Sequence, residues 1–186
     1  MTEHHWPAQR PPHELGVIAH GPLILAHTPG ITVGLRCIYA HPSGLHLPLV
    51  LRAYGERIPA AAAWSYGNVR RYREAAPGTF DARANTFRTP KDTGEVPYSV
   101  PQLVVEVNDV RGVANTTGAL HASDDEQVWG RDAAYWISDL PRDGLLSISL
   151  SWPQVGLPET QTDLTLTGIE DLASKVLPLL GAAPLP

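Results

Sequence analysis

An unusual mixture of aromatic and basic side chains lies near the middle of the chain. Three arginines and three aromatic residues fall within ten positions: Trp64, Tyr66, Arg70, Arg71, Tyr72 and Arg73. Arginine presents a forked set of donors and stacks on aromatic faces, and Trp, Tyr and Arg dominate the hot spots of protein interfaces. The segment therefore indicates a surface that recognises a partner. Simple packing of these side chains over the core is the alternative interpretation.

The charges of two stretches of the chain are complementary. Residues 56–91 hold seven basic and three acidic side chains, whereas residues 121–143 hold six acidic and two basic ones. Opposite charges favour docking of one stretch on the other. Three arrangements stay open: docking within one chain, docking on a second copy, and docking of the basic stretch on an unrelated acidic partner.

A second group of residues has the chemistry of metal ligands. His121, Asp124, Asp125 and Glu126 fall within six positions, and imidazole and carboxylate groups can share a divalent ion. Their spacing matches neither an EF-hand loop nor a His-Glu-x-x-His helix. With loop residues near Asp109, they could build a small-ligand or metal-dependent enzyme site. A solvated acidic loop is the alternative.

Other catalytic patterns are missing from the sequence. It has no Gly-x-Ser-x-Gly elbow, no Walker motif and no Gly-x-Gly-x-x-Gly fingerprint, so no serine nucleophile or phosphate loop is indicated. We therefore assign no catalytic residue and expect no cofactor.

Composition restricts the class of protein. The 186 residues are 43% hydrophobic, with 14 basic and 19 acidic side chains and a formal net charge of −5, as in one ordinary folded domain. Such acidity disfavours nucleic acid as a partner. The lone Cys37 cannot form an intramolecular disulfide. Because neither a secretory signal nor an apolar run of membrane-spanning length is present, we expect a cytoplasmic protein without a membrane partner.

Strands are predicted wherever apolar residues alternate. Period-two patterns run through Leu23 to Leu25, Ile31 to Tyr39, Leu45 to Leu51, Leu103 to Val107, Ala134 to Ile137, Leu145 to Trp152 and Thr160 to Thr167. The residues His41-Pro42-Ser43-Gly44 favour a tight hairpin turn. Residues 117–132 look like a polar loop.

These elements predict a mainly β chain, an antiparallel β-sandwich of immunoglobulin-like or similar type. We expect residues 1–14 to form a flexible N-terminal arm and residues 15–186 to form a single domain. That domain would contain a long insertion over 55–101. Helical spacing of the apolar residues near the end of the chain predicts one C-terminal helix over about 168–180.

Several short motifs in the second half of the chain form a recognisable set. They are Tyr135-Trp136-Ile137-Ser138-Asp139-Leu140-Pro141, Gly144-Leu145-Leu146, Ser151-Trp152-Pro153 and Gly156-Leu157-Pro158-Glu159-Thr160. With the hairpin over 32–52, they resemble a group of small actinobacterial strand-rich proteins that have no assigned function. The resemblance covers about two thirds of the chain and excludes residues 1–14 and most of 55–98. It implies a cytoplasmic bacterial protein and transfers no catalytic residue.

Together these patterns favour a non-catalytic interaction or assembly module that binds a protein partner or itself through the Arg/aromatic segment 64–73. The alternative is a small-ligand or metal-dependent enzyme with its site in the 109–132 loops. Nucleic-acid binding by the Arg/aromatic segment is a weaker alternative, and it predicts affinity that falls steeply with salt.

Overall fold

Most of the described chain lies in β-strands. The computed structural model describes residues 4–8, 12–62, 80–81, 86–87, 101–125 and 127–180. In chain order the strands are β1 (His4–Trp6), β2 (Glu14–Leu15), β3 (Val17–His20), β4 (Leu23–Thr28), β5 (Ile31–Leu35), β6 (Ile38–His41), β7 (Gly44–Tyr54), β8 (Phe80–Asp81), β9 (Thr86–Phe87), β10 (Gln102–Val107), β11 (Val110–Ala114), β12 (Thr116–Asp125), β13 (Val128–Ile137), β14 (Leu145–Trp152), β15 (Leu157–Thr165) and β16 (Leu177–Pro178).

The strands form two large sheets. A five-stranded sheet has the order β1-β11-β10-β14-β15, and a seven-stranded sheet has the order β12-β13-β7-β5-β4, with β6 paired to β7 and β3 paired to β6. All of these pairs are antiparallel except β1 with β11. Two small ribbons, β16-β2 and β8-β9, complete the described strands.

The two sheets share one hydrophobic core, as a sandwich requires. Alternate residues of β7 are fully buried, namely Leu45, Leu47, Leu49, Leu51 and Ala53. They belong to the same buried cluster as alternate residues of β10 and β14 in the other sheet, namely Leu103, Val105, Leu146, Ile148 and Leu150. Each buried leucine contributes about 2 kcal/mol through removal of its surface from water. The predicted mainly β, antiparallel fold is confirmed.

One edge of the sandwich is joined by a side chain. The hydroxyl of Thr160 on β15 donates to the carbonyl oxygen of Leu25 on β4 at 3.2 Å. Because β15 and β4 are the last strands of their sheets, this bond connects two strand edges that would otherwise face water.

The N-terminal residues differ from the flexible arm that the sequence predicts over 1–14. Residues His4–Trp6 pair with β11, and Trp6 is buried, with its indole Nε1 donating to the carbonyl of Val105 at 3.3 Å. Glu14 lies in β2. The sequence shows no period here because three residues of strand are too short to reveal one; burial of one Trp orders them.

The predicted polar loop over 117–132 is wrong. These residues form most of the hairpin between β12 and β13, in which Thr116–Asp125 and Val128–Ile137 are extended strands. Two register irregularities, between Thr116 and Gly118 and between His121 and Ser123, shift the pairing. Such irregularities break the alternation in the sequence, while the pairing of β13 with β7 orders the strand.

The predicted C-terminal helix over 168–180 is much shorter in the structure. Helix α1 covers only Leu172–Lys175, and β16 follows it. Asp171 takes a left-handed conformation with φ of 54°, and Pro178 lies in the strand. Asp171 therefore prevents the helix from extending toward the N-terminus, and Pro178 prevents it from extending toward the C-terminus. No helix among the described residues is long and apolar enough to cross a membrane.

The predicted hairpin at 41–44 is confirmed, and its glycine is sterically required. His41 on β6 pairs with Gly44 on β7. A Cβ atom at Gly44 would collide with the carbonyl oxygen of Ile137 and would lie 2.9 Å from the Trp136 ring. A side chain at this position would therefore force β7 away from β13.

We predict that Gly44→Ala lowers the free energy of unfolding by about 3 kcal/mol, because the new methyl group meets backbone that cannot move without breaking the ladder. Gly21→Ala is the matched control, since nothing lies within 4 Å of a Cβ atom there. Urea denaturation of both variants measures the difference. Equal stability of the two variants would contradict the steric argument.

Candidate functional site

The sequence proposes an Arg/aromatic segment for partner binding. Trp64, Tyr66, Arg70, Arg71, Tyr72 and Arg73 lie outside the described residues. The Arg/aromatic segment therefore stays a prediction.

The proposed metal ligands lie at the end of β12. His121, Asp124 and Asp125 belong to this strand, whereas Glu126 and the side chains of all four lie outside what the structure describes. An extended strand rises about 3.3 Å per residue, so the backbone positions of His121 and Asp125 are about 13 Å apart. Among the described side chains, no three His, Cys, Asp or Glu groups come within metal-binding range of one another. The metal site also stays a prediction.

The outer face of the seven-stranded sheet carries an apolar surface that the sequence motifs do not indicate. We call it the outer strip and define it by Ile18, Ile24, Gly34, Tyr39, His46, Pro48 and Val50. These residues alternate with the buried residues of their strands, so they point away from the core. The outward face of an antiparallel sheet is usually polar. Here Ile18 and Ile24 are about 60% exposed, at 61% and 59%.

A notch lies at one end of the outer strip. Ile24, Gly34 and Val50 stand side by side on β4, β5 and β7. Gly34 has no side chain, so a hollow of about 370 Å³ opens there, lined by Ile24, Val50, Pro22 and Arg36 among others. A Cβ atom at Gly34 would lie 3.6 Å from the Leu23 carbonyl oxygen and 3.7 Å from Ile24 Cδ1, which are ordinary contact distances. The Ile24 side chain therefore borders the hollow.

Two arginines and one aspartate border the outer strip. Asp132 on β13 accepts from Arg36 Nη2 at 2.8 Å and from Arg52 Nη1 at 3.1 Å. Partial burial alone would raise the pKa of Asp132, but the hydrogen bonds and charges of Arg36 and Arg52 outweigh it and hold that pKa below its ordinary value. The carboxylate is thus ionised throughout the neutral range. The border carries charges of both signs.

The other end of the outer strip holds a row of four side chains. Ile18, Tyr39, His46 and Trp136 are consecutive partners across β3, β6, β7 and β13. The Tyr39 and His46 rings stack, with centroids 5.9 Å apart and planes 20° apart. Hydrogen bonding to Cys37 raises the pKa of the Tyr39 hydroxyl. Burial lowers the pKa of His46, and the nearby charge of His41 lowers it further.

His41 lies beside this row, on the same outward face of β6 as Tyr39. It is only 2% exposed, its Nδ1 lies 3.1 Å from Glu14 Oε1, and its ring packs against Trp136 with centroids 5.5 Å apart. Its Nε2 lies so close to Gly16 that a Cβ atom there would come within 2.6 Å. The imidazole thereby ties β2, through Glu14 and Gly16, to the outer face of the sheet.

A polar groove lies at the end of the five-stranded sheet. It encloses about 600 Å³ and is lined by residues that include Glu106, Asp109, Asp143, Asp163 and Arg142. The side chain of Asp163 is fully exposed, and the nearby Ser147 hydroxyl and Gln161 amide lower its pKa. Asp109, near which the enzyme alternative places its site, therefore lines a groove.

Asn108 builds the wall of that groove. It adopts φ of 51°, and its side-chain Nδ2 donates to Asp139 Oδ2 at 3.1 Å and to the Leu140 carbonyl at 2.8 Å. Its Oδ1 accepts from the Arg142 backbone N–H at 2.8 Å. Asn108 therefore fastens the 139–142 loop to the β10-β11 turn, and its role is structural.

A sequence signal for the outer strip does exist. The leucines at 45, 47, 49 and 51 alternate as in a strand with one buried face. The positions between them, which face the other way, also include two apolar residues, Pro48 and Val50. A strand with one wet face normally has polar residues there. Apolar residues in both sets can equally mean a strand covered on both sides, so this signal alone does not indicate an exposed surface.

Comparison with known proteins adds no relative. No protein-family model, no curated protein and no solved structure matches this chain.

We predict that Asp132→Asn lowers the free energy of unfolding by up to about 1 kcal/mol at pH 7, because Arg36 and Arg52 lose their ionised partner. Since folding lowers the pKa of Asp132, its contribution is complete above the unfolded value near 3.9 and is lost as pH falls through the folded value. Urea denaturation between pH 7 and pH 3 measures the difference, which should shrink on acidification. A difference that is constant with pH would contradict this account. Glu170→Gln, at the exposed 3.9 Å pair with Lys175, is a control without effect.

Proposed function

We propose that the protein is a non-catalytic assembly module that binds a second copy of itself through the outer strip. The observation that supports this most directly is the exposure of Ile18 and Ile24 on a sheet face that water would ordinarily cover. Exposed apolar patches on folded proteins are characteristic of interaction sites.

The shape of the outer strip favours a second copy as the partner. Ile24 protrudes, whereas the directly paired residue Gly34 leaves a hollow. A two-fold axis parallel to the strands, between β4 and β5, would place each Ile24 over the Gly34 of the other copy. Such an interface is self-complementary, as the common two-fold dimers of soluble proteins are.

The charges agree with the same partner. Arg36 and Asp132 lie together at the border of the outer strip, and Arg36 remains 55% exposed despite its ion pair. In a dimer with two-fold symmetry, each copy would present one positive and one negative side chain to the other. The complementary stretches 56–91 and 121–143 extend this argument to the chain as a whole.

The Arg/aromatic segment 64–73 is included in the proposal as a second contact surface, on its residue types alone. The complementary charges favour a protein partner over nucleic acid for this segment. The cytoplasm as the place of action, and membership of the actinobacterial group that the motifs resemble, are also proposals, and both rest on the sequence.

The experiment is sedimentation equilibrium at pH 8 and moderate salt, over a wide range of concentrations. The wild-type chain should show a reversible monomer–dimer equilibrium, and Ile24→Lys should weaken it at least tenfold, because burying a charge against the notch is unfavourable. Leu145→Lys is the matched control: Leu145 is 54% exposed but lies on the other sheet. Neither variant should lose more than about 0.5 kcal/mol of stability, since both side chains are exposed.

Three results would contradict the proposal or part of it. A wild-type chain that is monomeric at every concentration excludes self-association. Equal weakening by Ile24→Lys and Leu145→Lys excludes the outer strip as the interface. The triple variant Arg70→Glu, Arg71→Glu, Arg73→Glu should also weaken the dimer, and an unchanged dimer would exclude the second contact surface alone.

A further inference from the structure

The β4-β5 hairpin carries a polar pair of side chains next to the notch. The register irregularity between Ile24 and Ala26 inserts one extra residue into β4. Leu25 and Ala26 are therefore both buried, and the next residue, His27, returns to the outer face. His27 is exposed there and pairs with Thr32 on β5. Its Nδ1 lies 2.9 Å from the Thr32 hydroxyl oxygen.

The His27–Thr32 pair leaves hydrogen-bonding capacity unused within the described part of the chain. A neutral imidazole has one donor nitrogen and one acceptor nitrogen, and a hydroxyl group both donates and accepts. The bond between Nδ1 and the hydroxyl uses one function of each group. Whichever ring nitrogen carries the proton, one donor and one acceptor remain. A surface group with one donor and one acceptor is complementary to a second copy of itself.

The two-fold axis of the proposed dimer lies directly beside this pair. The axis runs between β4 and β5 and parallel to them, so each outward residue of β4 lies over its β5 partner in the other copy. Ile24 is then over Gly34 of the other copy, and His27 is over Thr32 of the other copy. Sheets packed face to face are about 10 Å apart, a gap that an imidazole and a hydroxyl group close when they extend from opposite sides.

We propose that His27 and Thr32 form the polar centre of the dimer, in which the pair of each copy completes the hydrogen bonds of the other pair. The unused donor of one pair meets the unused acceptor of the second, and the two-fold symmetry repeats the contact. Four hydrogen bonds then form a closed ring, two within the chains and two between them. This inference rests on the proposed function, because it identifies the residues that determine how two copies fit at the same surface.

The hydrogen-bonded ring would fix the register of the two copies. Contact between Ile24 and the hollow at Gly34 is apolar, and the hydrophobic effect is non-directional. Hydrogen bonds require a donor–acceptor distance of about 2.9 Å, and a buried group that loses its partner is costly. A shift of one copy along the strands would therefore leave two donors and two acceptors unpaired in the interface.

The charged groups nearest the outer strip do not replace the His27–Thr32 pair. Arg36 and Arg52 both donate to Asp132. Asp132 lies on β13, which is separated from β5 by β7, so both guanidinium groups are directed away from the axis. The His27–Thr32 pair is the hydrogen-bonded side-chain pair that stands on the two strands beside the axis.

The test measures the dimer dissociation constant by sedimentation equilibrium at pH 8, where an ordinary imidazole is neutral. Thr32→Val keeps the shape of the side chain and removes the hydroxyl, so the constant should rise at least about tenfold. Thr32→Ser keeps the hydroxyl and should stay within about threefold of the wild type. Thr165→Val is the matched control, because Thr165 is an exposed strand residue of the other sheet, and it should leave the constant unchanged.

A double-mutant cycle tests whether the two side chains act in one ring. His27→Ala and Thr32→Val each break the ring, so the double variant should dimerise about as weakly as the weaker single variant. Losses that multiply in the double variant would indicate two independent contacts and would overturn the ring. Both side chains lie on the outer face, so urea denaturation should show that every variant keeps its fold.

The two proposals fail in different ways. A wild-type chain that does not dimerise at pH 8 contradicts the proposed function itself. A dimer that Ile24→Lys weakens and Thr32→Val leaves unchanged overturns only the role of the His27–Thr32 pair. Equal weakening by Thr32→Val and Thr32→Ser would also overturn it, because the loss would then not follow the hydroxyl group.

Discussion

The packing of β7 against its neighbouring strands and against the opposite sheet is the constraint on which the rest of the structure depends. Five of its side chains, Leu45 to Ala53 at alternate positions, are fully buried, and its backbone pairs with β13, β5 and β6. Because the side-chain period of a strand is two, this choice of inner face determines which residues face outward. His46, Pro48 and Val50 are on the surface for that reason.

The same register connects the buried and the exposed features. Gly44 admits Trp136 at the start of β7, and Trp136 forms the floor on which His41 rests. His41 in turn holds Glu14 and the ribbon of β2 with β16. The core, the hairpin and the outer strip are therefore one arrangement. A side chain at Gly44 would meet both the Ile137 backbone and the Trp136 ring, so a change there would reach the outer strip.

Much of the fold could be predicted from alternation alone, because strands such as β7, β10 and β14 bury one face completely. Alternation does not predict the structure where the pattern is broken or too short. The β12-β13 hairpin contains register shifts, and β1 has three residues ordered by the burial of Trp6. The left-handed conformation of Asp171 prevents the C-terminal helix from beginning before Leu172. The outer strip could not be predicted as exposed because its residues come together from distant strands: Ile18, Ile24 and Val50 become neighbours only through pairing. The Arg/aromatic segment and the proposed metal ligands are predicted from residue type alone, and residue type carries no information about position.

The chain passes from the seven-stranded sheet to the five-stranded sheet between β7 and β10, across residues 55–101. The free-energy cost of closing such a connection grows only slowly with its length, by about 0.6 kcal/mol for each doubling. Strand register is set by β7 and β10 themselves, which pair with other strands and not with each other. Evolution can therefore lengthen, shorten or rewrite this connection while the sandwich keeps its register. Related chains would then share a frame and differ in the segment that carries the arginines and aromatic residues.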